Sequence, residues 1–250
     1  LEYATGFSYR KAGFCTELII GSGSAASRFL LIPEGGSSCN PSGAFVIRVP
    51  VKRIILSGTT QVPWLDALGV SGSLAGFPDP EMILSKPVSE RVRKGLVTDV
   101  GGPAGLDPES VLGLRPDLIM TFSKNTGREA LYTARGIPVI TTTEMEESHP
   151  LGRAEWIRLT GLLFGREREA DSVYRFIRNR YVALLDSAKH TGQSPVVMTG
   201  IPYGGAWFMP GGKNFAATLF RDAGFKYSWR EDSSSGILRL GFESVYSLSL

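Results

Sequence analysis

Histidine is scarce in this chain: only His149 and His190 occur among 250 residues. Neutral imidazole is the usual protein ligand for transition metals, so a histidine-rich bare-metal centre is excluded. Cysteine is equally sparse. Cys15 and Cys39 are too few for a disulfide framework or a structural zinc site. They are compatible with one bridge, which would suit an oxidising compartment, or with two unrelated thiols. Long apolar runs are missing too. Phe45–Val51 and Val196–Met198 fall far short of the ~20 residues that span a bilayer. Charge of one sign is not in excess: 27 basic and 24 acidic residues leave a net +3. So small and scattered an excess is no nucleic-acid footprint. The one basic cluster, Arg166 to Arg180, is interleaved with Glu167, Glu169 and Asp171 and reads as a solvated helix face. Catalytic signatures are also lacking. There is no G-x-S-x-G elbow, no Walker loop and no H-E-x-x-H, and neither histidine has an evident nucleophile partner. At Leu1 there is no basic n-region and no apolar h-region, so the chain reads as mature or trimmed.

What is present is enough for a packed core: 42% hydrophobic and 20% charged residues. The first 50 residues read as strands at Glu17–Ile20, Arg28–Ile32 and Ala44–Val49, separated by Gly/Ser/Pro/Asn clusters. This is an antiparallel leader. Gly21–Ala26 matches G-x-G-x-x-A, but strand-like Ser27–Pro33 follows where a dinucleotide site needs a helix, so a hairpin turn is the reading. From Val51 the grammar becomes strand–helix alternation. Strands are expected at Arg53–Ser57, Val97–Val100, Asp117–Phe122 and Pro138–Thr142, and helices at Pro63–Leu68, Asp107–Leu114 and Arg128–Arg135. Asp107-Pro108-Glu109 supplies a cap, a proline at the first helical position and an acid in the first turn. Repeated units of this length argue for a parallel α/β sheet.

The longest helical signal runs through Leu151–Phe164 and Glu167–Lys189, divided at Gly165. Ala170, Val173, Tyr174, Ile177, Tyr181, Leu184, Leu185 and Ala188 repeat at helical spacing. After Gly192 the α/β grammar restarts, with a strand at Pro195–Gly200 and helices at Asn214–Ala223 and from Phe242. The two α/β segments echo each other. Each has a strand, a helix stopped by glycine, and then Glu-Ser-Val opening a further helix, at Glu109–Val111 and Glu243–Val245. Duplicated lobes joined by one helix imply a cleft, and clefts between lobes are common ligand sites.

Residues Val51–Gly69, Gly105–Met120, Gly136–Ile140 and Pro150–Phe164, in this order and spacing, resemble the substrate-binding proteins of bacterial ABC importers that serve iron–siderophores, haem and cobalamin. The resemblance covers about Val51 to Leu250. It implies two Rossmann-like α/β lobes joined by a single long backbone helix. With the strand reading of the first 50 residues, the chain is expected to divide into a β leader packed on the first lobe (1–50), a first ligand-binding lobe (51–150), linking helices (151–192) and an incomplete second lobe (193–250). The resemblance implies a non-enzymatic protein outside the cytoplasmic membrane, periplasmic or lipid-anchored. Such a protein captures a metal chelate and delivers it to a permease and, through it, an ATPase. No cofactor is implied, because the chelate is cargo, and a monomer is expected. Cobalamin or haem is the alternative cargo. An enzyme or scaffold reusing the fold is the alternative outside the class.

The resemblance assigns a permease-docking glutamate to each lobe, at Glu109 and Glu243. A carboxylate in a first helical turn on each half is also what the helix dipole favours. For the ligand, Tyr203, Trp207, Phe208 and Trp229 are read at loop positions beside glycine pairs, with Gln61 and Trp64 on the matching loop of the first lobe. Flat chelates stack on such side chains. Lys124, Arg153 and Arg239 could meet anionic ligand groups. Glu144, Glu146, Glu147 and His149 form an acidic cluster that reads as the approach to the long helix rather than as a metal site.

Overall fold

The computed structural model describes residues 1–36, 43–102, 105–122, 129–189, 192 and 194–247. Cys39, Lys124 and His190 lie outside the described residues. The chain divides into two compact units. The first comprises Leu1, Thr5–Met145 and Glu155–Tyr174; the second comprises Glu2–Ala4, Glu146–Ala154 and the chain from Arg175.

The first unit opens with a four-stranded sheet in the order β1 (Phe7–Ala12), β2 (Cys15–Ile20), β3 (Ser27–Pro33), β4 (Phe45–Val49). The first two pairings are antiparallel and the Gly21–Ala26 segment joins β2 to β3 as a turn. These three strands are the expected antiparallel leader, and β4 is added to it parallel to β3. Cys15 is buried in this sheet and disulfide-bonded.

The α/β part follows: β5 (Ile54–Leu56), α1 (Val62–Ala67), β6 (Leu74–Phe77), α2 (Lys86–Arg93), β7 (Thr98–Asp99), the short pair β8 (Gly101–Gly102) and β9 (Gly105–Leu106), α3 (Pro108–Leu114), β10 (Leu118–Thr121), α4 (Glu129–Thr133) and β11 (Val139–Thr141). The main sheet is parallel with the order β11-β10-β5-β6-β7. Strands β5, β6 and β10 are buried along their whole length, which suits a parallel sheet covered on both faces. Ile55, Val100, Leu106, Val111, Ile119, Tyr132 and Val139 make one cluster of its core. The Asp107 carboxylate accepts from Ser110 N–H at 2.9 Å, as the sequence predicts for the start of α3.

Three helices carry the chain onward: α5 (Pro150–Glu155), α6 (Ile157–Phe164) and α7 (Glu167–Lys189). Gly165 ends α6 in the left-handed conformation, at φ 63°. The long helix α7 joins the units. It begins in the first and continues from Arg175 in the second. Its start is fixed by a close approach at Gly161. A β-carbon there would lie 2.6 Å from Ala170 Cβ and 3.0 Å from Arg166 O. Gly161→Ala is therefore expected to destabilise the first unit by about 1–3 kcal/mol through overpacking. A urea melt unchanged by that substitution would contradict the close packing.

The second unit holds a parallel pair, β12 (Val196–Val197) with β15 (Lys226–Tyr227), and an antiparallel sheet in the order β13 (Ile201–Tyr203), β14 (Ala206–Pro210), β16 (Ile237–Leu240). Helices α8 (Phe215–Asp222) and α9 (Phe242–Tyr246) complete it. Asn214 caps α8 by accepting from Ala216 N–H at 2.9 Å. The structure corrects the loop placement of Tyr203, Trp207 and Phe208, which lie on β13 and β14. Gly204 and Gly205, at φ 56° and 75°, form the two-residue hairpin turn between those strands. Such a turn needs positive φ at both central residues, which glycine adopts without strain. Among the described residues no helix is long and apolar enough to cross a membrane.

Candidate ligand-binding site

In open parallel sheets, ligands collect at the carboxyl ends of the strands. In the first unit that rim is built by the residues after β5, β10 and β11. It is a polar network. Gln61 is only 1% exposed and both ends of its amide are engaged. Its Oε1 accepts from Gly58 N–H at 3.2 Å, and its Nε2 donates to Thr142 Oγ1 at 2.9 Å. Thr142 Oγ1 donates in turn to Thr121 O at 3.1 Å. Gln61 thus holds the rim together. Thr121 Oγ1 donates to Thr141 Oγ1, and Thr141 Oγ1 to Glu129 Oε1, each at 3.1 Å. Thr60 Oγ1 donates to Glu144 Oε1 at 3.1 Å. Trp64 sits half-buried on α1. Thr60 and Thr141 are not among the sequence candidates, and the sequence presents Glu144 only within the acidic approach to the long helix. Their position at or within a few residues of the carboxyl ends of apolar parallel strands is the signal that could have found them.

Glu109, on α3, is exposed in the first turn after the Asp107 cap.

In the second unit the candidates separate into groups. Trp207 donates its indole N–H to Thr199 O at 3.1 Å, and its ring meets Phe242 edge-on at 5.9 Å. Met198, Trp207, Phe242, Glu243, Val245 and Tyr246 line a cavity of about 400 Å³. The structure therefore brings Trp207, a ligand candidate, and Glu243, a docking candidate, to one place. Glu243 is exposed in the first turn of α9. Trp229 packs elsewhere, 6.2 Å from the Tyr227 ring. Tyr227 donates to Pro210 O at 2.6 Å, and burial followed by the charge of Asp232 pushes its hydroxyl up to about 12. Tyr203 is 77% exposed on β13, and Arg239 is exposed on β16 opposite Phe208.

Arg153 is held by its own unit. Its guanidinium lies 3.7 Å over the Phe215 ring, and its Nε donates to Glu147 O at 3.2 Å. His149 has a structural role. Its Nδ1 accepts from Leu151 N–H at 3.1 Å at the start of α5, and Tyr3 stacks on the ring at 4.4 Å. Burial is the main influence on its pKa, holding it below 6.5; Asp222 opposes this and Arg221 adds to it. Only the neutral ring can accept at Nδ1. The unfolded chain therefore takes up this proton at higher pH than the native one, and stability falls as pH drops below 6.5. Melting temperatures at pH 7.5 and 5.5 are expected to differ more for the wild type than for His149→Asn; equal differences would remove His149 from the account. Among the described residues no group of three or more His, Cys, Asp or Glu is placed to hold a metal ion.

The sequence model of the periplasmic binding protein family matches residues 54–247. The chain belongs to this family. Membership makes it a periplasmic-type solute-binding protein. An uncharacterized lipoprotein of Methanocaldococcus jannaschii is 21% identical over 211 residues, covering 80% of this chain and 50% of the relative. The binding protein spans about half the length of the curated relatives it matches. Among solved structures, a possible iron-binding (periplasmic solute-binding) protein of Staphylococcus epidermidis superposes with TM-score 0.63 at 18% identity, over 80% of this chain and 74% of that one. A periplasmic heme-binding protein of Vibrio cholerae also gives TM-score 0.63, at 21% identity, over 79% and 73%. At such identities the likeness concerns the fold.

Proposed function

We propose that this protein captures a metal chelate, an iron–siderophore or a related complex, and delivers it to the permease of an ABC importer and, through it, to the ATPase. The observation that carries this reading is the pair of exposed glutamates. Glu109 and Glu243 each occupy the first turn of the helix that follows a strand–helix–glycine unit, one in each half of a chain of this family. Two fixed carboxylates on two similar lobes suit a partner with paired cationic sites. In this reading Glu243 faces the permease. Trp207 then belongs to the wall of the docking cavity and leaves the ligand set, because its N–H is satisfied within the unit and its ring packs on Phe242. Tyr203, Trp229, Arg239, Trp64 and Lys124 remain ligand candidates.

Cobalamin and haem are the alternative cargoes; the Vibrio cholerae neighbour is named for haem. Titration of tryptophan fluorescence with ferric trihydroxamate, ferric tris-catecholate, haem and cyanocobalamin tests the reading. Saturable quenching by a ferric chelate at micromolar or lower concentration is expected. Quenching by haem or cobalamin alone would move the assignment to that cargo. Absence of any response would sink it.

A further inference from the structure

Glu144 stands just after β11, in a single helical turn, and is 3% exposed. Its Oε1 accepts from Thr60 Oγ1 at 3.1 Å. Its Oε2 is enclosed and has no hydrogen-bond partner among the described residues. Buried carboxylate oxygens are ordinarily satisfied, and one left unmet calls for an explanation. The neighbouring groups of the rim do not supply it. Gln61 is committed to Gly58 and Thr142, and Thr121 and Thr141 pass their hydroxyl protons along to Glu129. Thr59 and Thr60 lie exposed in one short turn, and Thr60 reaches the carboxylate through a single hydroxyl.

We propose that Glu144 is a specificity residue whose second carboxylate oxygen is satisfied by the cargo, reached as the Thr59–Thr60 turn shifts. The cargo would then present a positive charge or an N–H or O–H donor to this rim. Among the described residues, the polar side chains bonded along the rim are hydroxyls, an amide and the carboxylates of Glu129 and Glu144. Such a wall repels a polyanionic chelate and attracts a cationic or donor-bearing one, because a fixed charge in a poorly solvated place discriminates strongly by sign. This inference rests on the reading of the protein as a chelate carrier and narrows its substrate class.

The test uses the same fluorescence titration with two probes: a ferric trihydroxamate bearing a free ammonium group, and a ferric tris-catecholate. The wild type is expected to bind the cationic probe at least about tenfold more tightly. Glu144→Gln keeps an acceptor for Thr60 and removes the charge. It is expected to weaken the cationic probe about tenfold and to leave the tris-catecholate unchanged or tighter. If Glu144→Gln does not fold, the salt dependence of the wild type decides: affinity for the cationic probe should fall with added salt, while that for the anionic probe should rise. Preference of the wild type for the tris-catecholate would overturn the inference while leaving the carrier function standing. A Glu144→Gln variant that shifts neither probe would do the same. If neither probe nor haem nor cobalamin binds the wild type, the carrier reading itself falls and the inference falls with it.

Discussion

Replacing Glu109 and Glu243 together by lysine is expected to abolish uptake while leaving chelate affinity nearly unchanged. Both side chains are exposed, and neither belongs to the polar rim of the first unit. Loss of one charge-assisted contact at an interface costs about 2–5 kcal/mol when the partner charge stays buried, and lysine adds repulsion between like charges. At 1.4 kcal/mol per factor of ten, each single alanine change should weaken docking roughly thirtyfold or more. Transport in cells and ligand titration on the same purified variants separate the two roles. Transport that survives the double lysine change would reduce both residues to ordinary first-turn acids, worth only a few tenths of a kcal/mol each to their helices. The cavity beside Glu243 adds an internal control. Trp207→Ala is expected to impair docking with Glu243→Ala and to spare chelate binding. A variant that lost the chelate would return Trp207 to the ligand set and place Glu243 at the ligand.

How far such a site can be read from sequence depends on how local its causes are. The caps of α3 and α8 are written in adjacent residues, Asp107-Pro108 and Asn214, and the structure forms both. The apolar strands β5 and β10 are legible because a strand covered on both faces is apolar without alternation. Strand β6 is not legible: Leu74-Ala75-Gly76-Phe77 has weak strand propensity. Gly76 is required there by tertiary packing, since a β-carbon would meet Leu114 Cδ1 at 2.8 Å and Val100 Cγ1 at 3.0 Å. Strand β1 escapes for the opposite reason. After Phe7 its residues are exposed, so no alternation marks it, and pairing with β2 alone makes it a strand. Helix α2 is a charged segment with one buried residue, Val88, and an amphipathic stripe that narrow leaves little trace. The polar rim is the least legible part. Thr60 and Glu144 are 84 residues apart, and only the parallel order β11-β10-β5 brings them together. Gln61 is visible in the sequence as a polar residue near a strand end, but its burial and its bond to Thr142, 81 residues away, are not.

The largest loss of stability from a single substitution is expected at Arg158. Its guanidinium donates to Glu155, whose side chain is 0% exposed, and to Asp171 at 2.7 Å; it also lies 4.3 Å over the ring of the buried Tyr174. One side chain on α6 thereby ties the end of α5 to the first turns of α7, within the first unit. A surface ion pair is worth about 0–1 kcal/mol, because water and salt screen it. Here one carboxylate is fully withdrawn from water, so removal of the guanidinium leaves it to bear its desolvation without that counter-charge. Arg158→Met, which keeps much of the apolar stem, is expected to cost about 3–5 kcal/mol. That is a third or more of the stability of a typical domain, about 5–15 kcal/mol. A second change, Glu155→Gln, removes the stranded charge and should restore part of the loss, so the two substitutions are non-additive. With two compact units a single unfolding transition is not assured. Hydrogen exchange in β5 and β10 is the direct readout, since these strands report opening of the first unit. Loss of protection there in Arg158→Met, with partial return in the double variant, is the expected pattern. If the single change costs less than about 1 kcal/mol, the pair behaves as a surface pair. The anchoring of α7 would then rest on the close approach at Gly161 and on apolar contacts instead.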